Sequence, residues 1–173
     1  MRFFCIIVTF LLLFSCGDDG KKKKMTKKEV KETKEKLQNI NNYLVKKESD
    51  EIDAYVLQRK WSMTTTGTGL RYEIYEKGNG ELASIGKQAK VNYKIYLLDG
   101  TVCYTSDEDG AREFKIGEDY VETGIHYGVQ LMHVGDKARF ILPSHLAHGL
   151  LGDYNKIPPK SSIVYDIELL SIR

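Results

Sequence analysis

Residues 3–14 are apolar almost without a break. Beyond position 25 the apolar residues thin out and take helical spacing: Val30, Leu37, Ile40 and Leu44, with Tyr43 beside them. Thr26-Lys-Lys-Glu29 supplies a hydroxyl at an N-cap and a glutamate three residues on, and Met25 and Val30 fall at the staple positions around it. Together they predict a helix beginning near Lys27. Ser49-Asp50-Glu51 reads as a second start, a cap followed by acids suited to the positive helix end. Ile52, Tyr55, Val56 and Trp61 follow on one side.

After Gly67-Thr-Gly69, which reads as the helix breaker, the period changes from helical to two. Leu70, Tyr72 and Ile74 alternate with polar residues, as do Ala89, Val91, Tyr93, Ile95 and Leu97. Asp99-Gly100 is a hairpin signal with Val102-Cys103-Tyr104 returning. Ile125, Val129 and Met132 form the one helical stripe of this region. Ala138, Phe140 and Leu142 alternate until Pro143 stops the strand. A long Gly-, Asn- and Pro-bearing loop occupies residues 145–161, and Ile163, Tyr165, Ile167 and Leu169 make the last strand. The pattern predicts an α+β fold: an antiparallel sheet, one short helix and one long loop. Long ordered loops in small domains usually carry function.

The apolar start changes how the chain is divided. A bilayer-spanning helix needs about 20 apolar residues, and residues 3–14 have the length of a signal-peptide core instead. Leu13-Phe14-Ser15-Cys16 resembles the bacterial lipobox, where cleavage precedes a lipidated cysteine. An ordinary secretory signal with an incidental cysteine is the alternative. The expected organisation is a lipoprotein signal at 1–15, a polar tether at 16–25, a helical stalk at 26–61 and a folded domain at 62–173. With Cys5 removed and Cys16 lipidated, Cys103 is the one free thiol, so no internal disulfide is available. Residues 16–61 carry 13 Lys/Arg against 9 Asp/Glu, and residues 62–173 carry 12 against 15. The basic excess thus lies beside the anchor. The lysines at 21–24 suit anionic headgroups or serve as a solvated spacer. The apolar stripe of the stalk offers a dimer or partner contact, or else packs on its own domain.

At 42% hydrophobic and 29% charged the chain is globular, and a net charge of +2 gives no pointer to nucleic acid. No phosphate-binding glycine loop is present. His126, His133, His145 and His148 match no zinc spacing. A calcium loop aligned on Thr105, Asp107 and Asp109 puts Ile116 where a Glu is needed. No nucleophile and base are paired by local sequence, and no metal or cofactor is implied.

The stretch 87–173 resembles the FKBP-type peptidyl-prolyl isomerases throughout. The matching pieces are Val91-Asn-Tyr93, Leu97-Leu-Asp-Gly100, Phe114-Lys-Ile-Gly117 and Gly128-Val-Gln-Leu-Met-His-Val-Gly135. They continue as Ala138-Arg-Phe140, Leu142-Pro-Ser-His-Leu-Ala-His-Gly149, Ile157-Pro-Pro159 and Val164-Tyr-Asp-Ile-Glu-Leu-Leu170. With the lipobox and stalk, the chain looks like an FKBP-type lipoprotein of Bacteroidetes, similar in plan to gliding-motility-associated isomerases. The resemblance implies a half-barrel of antiparallel strands wrapped on one helix. It also implies isomerisation of X–Pro bonds in exported, proline-containing or unfolded polypeptides, in a cell envelope reached through the Cys16 anchor. Its groove wall maps onto Tyr93, Phe114, Val121, Ile157 and Tyr165, with Ile125 as floor and the backbone N–H of Glu122 as a donor. The family's Phe–Asp pair falls on Cys103 and Tyr104, and its hydroxyl donor on His148. Tyr93 and Tyr165 would be buried on inward strand faces in any case, so groove and core readings both stand for them. These departures leave a non-catalytic binding module as the rival.

Overall fold

The computed structural model describes residues 26–173. The signal at 1–15, Cys16, the tether and the staple residue Met25 lie outside the described residues. The chain divides into compact units at residues 1–39 and 40–173. In the first, the capping box closes: Thr26 N–H donates to Glu29 Oε2 at 2.7 Å, and Glu29 N–H donates to Thr26 Oγ1 at 3.3 Å. Val30 and Leu37 are exposed there.

Helix α1 runs Lys27–Arg59 without interruption, so Ser49-Asp50-Glu51 does not start a second helix. Ser49 and Asp53 face the domain instead, where Arg71, 4% exposed, needs polar partners. Its guanidinium donates to Ser49 Oγ at 2.6 Å and Asp53 Oδ1 at 2.9 Å. A residue able to cap is equally able to accept from a buried cation in the body of a helix, and local sequence does not separate the two. The helix ends earlier than Gly67: Lys60 turns left-handed at φ 57°.

Seven strands follow. They are β1 (Thr64–Thr65), β2 (Arg71–Glu76), β3 (Gln88–Leu97), β4 (Val102–Thr105), β5 (Arg112–Lys115), β6 (Lys137–Leu142) and β7 (Ile163–Ile172). They pair antiparallel in the order β1-β2-β6-β7-β3-β4, with β5 also on β3. Between β4 and β5 is a one-turn helix that the hydrophobic pattern did not signal, α2 (Ser106–Asp109), capped by Thr105. It has no buried residue, so no periodicity marks it. Helix α3 (Thr123–Val129) follows β5, and a 3₁₀ turn at Ser144–Leu146 opens the loop before β7.

Strand alternation makes two cores. Ala89, Val91, Ile95, Ala138, Phe140, Leu142, Ile163, Tyr165, Ile167 and Leu169 line one face with Ile125 and Val129 of α3. Gly124 and Gly128 bring α3 close: a Cβ on Gly124 would lie 2.5 Å from Leu142 Cγ. On the other face, Ile141, Val164 and Tyr96 are register neighbours across β6, β7 and β3. Ile52 and Tyr55 of α1 cover that row. This half of α1 therefore belongs to the fold of the domain.

Candidate active-site groove

Residues of β3, β4, β5 and β7, helix α3 and two loops build the site. Tyr165 lies on β7 between Ile95 and Phe140, and Tyr93 lies on β3 opposite Ile167. Cys103, Phe114, Ile125, Ile157 and Tyr165 are buried in one cluster, with Tyr93, Tyr104 and Val121 packed against it. All of these residues belong to or pack on the main core of the domain. Accessibility divides them: Phe114, Ile125, Ile157 and Tyr165 are each 2% exposed, whereas Tyr93, Tyr104 and Val121 are half-buried. Of the two tyrosines, Tyr165 is buried and Tyr93 half-buried, which fits either reading.

The loop after β5 carries Val121 and Glu122, and His126 of α3 fastens it. Gly117 N–H donates to His126 Nδ1 at 2.8 Å, and Nε2 lies 3.0 Å from the Asp119 carbonyl oxygen. One nitrogen accepts and the other faces an acceptor, which assigns the neutral Nε2–H tautomer.

Glu122 is the main departure from the sequence reading. Its carboxylate, not only its backbone N–H, occupies the site, and the residue is 8% exposed. Oε1 lies 3.0 Å from His148 Nε2, and Oε2 lies 3.6 Å from Arg112 Nη1. Burial pushes the Glu122 pKa up. The hydrogen bond from His148, the residue's own backbone N–H and the Arg112 charge more than offset this, so it rests below the usual carboxylate value. The Tyr165 hydroxyl acts in the same direction from outside hydrogen-bond geometry, and it has no partner among the described residues. His148 is pushed up, first by its hydrogen bond to Glu122, against an opposing effect of burial. His148 thus faces a carboxylate that local sequence did not assign to it. Neutral imidazole has one N–H, and here it is spent on Glu122. Only the imidazolium has a second to offer. The Glu122 backbone N–H, expected to meet a substrate carbonyl, also favours its own carboxylate.

The Tyr104 hydroxyl donates to Asp153 Oδ2 in the long loop. Asp153 Oδ1 accepts from the N–H groups of Asn155 and Ile157, both at 2.8 Å, and so shapes the turn that presents Ile157. Gly152 permits that turn: its φ is +70°, and a Cβ would stand 2.2 Å from the Ile157 carbonyl oxygen. Tyr93 donates to Asp109 Oδ2 at 3.3 Å. Burial pushes the Cys103 thiol up, which disfavours the nucleophilic thiolate. A separate cleft of about 610 Å³ lies between the second half of α1 and residues 97–99 and 158–162. No groove residue lines it.

Sequence reasoning missed Arg112, Asp109, Asp153 and His126. Asp153 had a legible signal, since Gly152-Asp153 before Asn155 favours a side-chain-bonded turn. Nothing local distinguished Arg112 from other strand-end cations; only its meeting with Glu122 does.

A sequence model of the FKBP-type peptidyl-prolyl cis-trans isomerases matches residues 79–170. The chain is 34% identical over 164 residues to the FKBP-type peptidyl-prolyl cis-trans isomerase FkpA of Aeromonas hydrophila, covering 88% of this chain and 60% of the relative. It is 32% identical over 165 residues to a probable FkpA of Neisseria meningitidis serogroup B, covering 89% and 60%. The crystal structure of FkpA from Escherichia coli superposes with a TM-score of 0.62 at 28% identity, over 87% of this chain and 74% of that one. The chain spans about 60% of the length of these curated relatives. The antiparallel sheet, the short helix packed on it and the preceding long helix are shared with that structure. The family match covers β3 and most of β7, the loop of Val121 and Glu122, and the loop of His148 and Ile157. The chain belongs to the FKBP-type peptidyl-prolyl cis-trans isomerase family.

Proposed function

We propose that the protein is a peptidyl-prolyl cis-trans isomerase that assists folding of exported polypeptides, held in a bacterial cell envelope by lipid on Cys16. The carrying observation is the gathering of Tyr93, Phe114, Val121, Ile125, Ile157 and Tyr165 into one cluster within the stretch the family model matches. The chemistry asks for little more. Rotation about a peptide bond has a barrier of about 18–20 kcal/mol because resonance must be broken. At X–Pro the isomers differ by about 1 kcal/mol or less, yet exchange in tens of seconds or longer. An apolar surface that strips water from the amide and fits its twisted form lowers that barrier without a nucleophile. The His148 imidazolium, held by Glu122, is the donor for a substrate carbonyl. Tyr104 and Asp153 set the loop opposite.

Support for the anchor comes from the sequence: an apolar run too short to span, ending small-then-Cys, then the lysines at 21–24. The plan of signal, stalk and domain resembles the lipoprotein isomerases of Bacteroidetes. The exposed residues Ile40, Tyr43 and Leu44 of α1 offer a contact surface for a partner or second copy.

A second reading, a binding module with little turnover, is favoured by one observation: the floor residue Ile125 and the wall residue Tyr165 are each 2% exposed. Rate constants on a panel of peptides differing only at X of X–Pro separate the two. Acceleration of cis-to-trans exchange supports the isomerase. Saturable binding of the same peptides without acceleration supports the binding module.

A further inference from the structure

Residues 143–162 join β6 to β7 and bring His148, Asp153 and Ile157 to the groove. Ser144 is near the start of this loop and Ser162 is its last residue. One side chain of α1 binds both. The Ser144 backbone N–H donates to Glu48 Oε1 at 2.6 Å, and the Ser162 hydroxyl donates to the same oxygen at 2.8 Å. The Ser144 hydroxyl lies 3.2 Å from Oε2. Hydrogen bonds to a carboxylate are shorter and stronger than neutral ones, and the bond from the Ser144 N–H meets that description.

The connection continues to the site. The Ser144 carbonyl oxygen accepts from Ala147 N–H at 3.1 Å and from Gly149 N–H at 2.8 Å. Those residues flank His148 in sequence. Gly149 in turn accepts from Lys160 N–H at 2.9 Å, which draws the two arms of the loop together. Glu48 therefore fixes Ser144, and Ser144 fixes the backbone on both sides of His148. The other polar attachment of α1, from Ser49 and Asp53 to Arg71, leads to Gly69; its neighbour Thr68 meets the loop at His145, whose Nε2 lies 3.1 Å from the Thr68 carbonyl oxygen, and not at the residues flanking His148.

We propose that Glu48 is a positioning residue for the groove, so that α1 acts on the site through Ser144 and Ser162. The proposal rests on the isomerase reading for its kinetic consequence, though not for its structural one. It makes the second half of α1 a working part of the domain.

The test uses the full chain with three variants. Glu48→Ala removes the clamp. Glu48→Gln keeps one acceptor oxygen. Ile52→Val loosens α1 packing by one methyl group without touching the loop. Losing the clamp should cost about threefold to tenfold in kcat/KM on X–Pro peptides, the equivalent of one hydrogen bond made effective in the twisted state. Glu48→Gln should fall between. Amide exchange at residues 144–149 should speed up in Glu48→Ala, while β3 and β7 keep their protection. Combined with His148→Ala, Glu48→Ala should add nothing further to the kinetic loss. The proposal is overturned if Glu48→Ala changes neither exchange nor rate. It is also overturned if Ile52→Val, at matched melting temperature, loses as much rate, or if the losses with His148→Ala add. A wild type that binds X–Pro peptides without accelerating them defeats the isomerase reading alone. The clamp is then judged by loop exchange and the His148 imidazole resonance, which must both move in Glu48→Ala.

Discussion

Glu122 brings a carboxylate into a site whose apolar wall would otherwise leave His148 without a charged partner, and the pair fixes the direction of the pH response. His148 binds its proton more tightly in the folded state than in an unfolded chain. Its share of stability is complete below the ordinary imidazole value and fades as pH rises through the raised one. Glu122 releases its proton more readily when folded. Its share is present above the ordinary carboxylate value and fades as pH falls through the lowered one. Both contributions are whole between about pH 4.3 and 6.5, the unperturbed values of the two groups. Activity should follow the imidazole, because the neutral ring has already given its only N–H to Glu122. We expect kcat/KM on X–Pro peptides to decline as pH rises through the His148 titration, and a profile flat from neutral into the alkaline range would remove His148 as the donor. Glu122→Gln should bring the His148 titration, followed by its imidazole carbon-bound protons, back down toward the ordinary value. If that midpoint stays put, the ion pair does not exist in solution. Asp153→Ala should be costly for a different reason. It strips acceptors from the N–H groups of Asn155 and Ile157; water replaces the partner of exposed Asn155, whereas the buried Ile157 donor left unpaired costs about 1–3 kcal/mol. Urea unfolding reads the loss.

At the scale of elements, α1 is fastened by packing on one row and by hydrogen bonds beside it. Ile52 is 0% exposed against Ile141, Val164 and Tyr96. Ile52→Ala leaves a cavity that neighbours on a sheet cannot collapse to fill, and about 2–5 kcal/mol of stability should be lost. Denaturant midpoints of wild type and variant measure it, and a loss within experimental error would mean that α1 is not seated on the sheet in solution. The pattern carried a hint of this second face. Phe140-Ile141-Leu142 and Ile163-Val164-Tyr165 break strict alternation with an apolar residue where a solvated face would be polar. The hint names a buried face but not its cover. Ser49 illustrates the converse, since its capping chemistry was legible while its partner, Arg71 of β2, lies 22 positions on.

For the whole molecule, charge and apolar residues are sorted along the chain rather than spread over it. The basic excess of residues 16–61 and the mild acidity of 62–173 suit a protein tethered at one end to an anionic surface. Cys16→Ser should abolish lipid attachment, leaving the protein uncleaved or released from the detergent-extractable fraction. Mass spectrometry of the mature N-terminus decides: a wild-type chain without lipid mass, beginning at another residue, contradicts the anchor. Such a tether would keep the groove near emerging exported chains, whose slow X–Pro bonds are the substrates proposed here.

The strand periods, the Asp99-Gly100 hairpin, the capping box at Thr26 and the apolar composition of the groove were determined by local sequence, because each depends on residues a few positions apart. Tertiary structure alone decided what lies between distant residues. It joined Glu122 to His148 across 26 positions of chain and raised the imidazole's proton affinity. It brought the Asp153 carboxylate to the Tyr104 hydroxyl across 49 positions. It set Glu48 under both ends of a loop 96 and 114 residues away. Electrostatic and hydrogen-bond pairings depend on distance in space, and distance in space between such residues exists only once the sheet has closed.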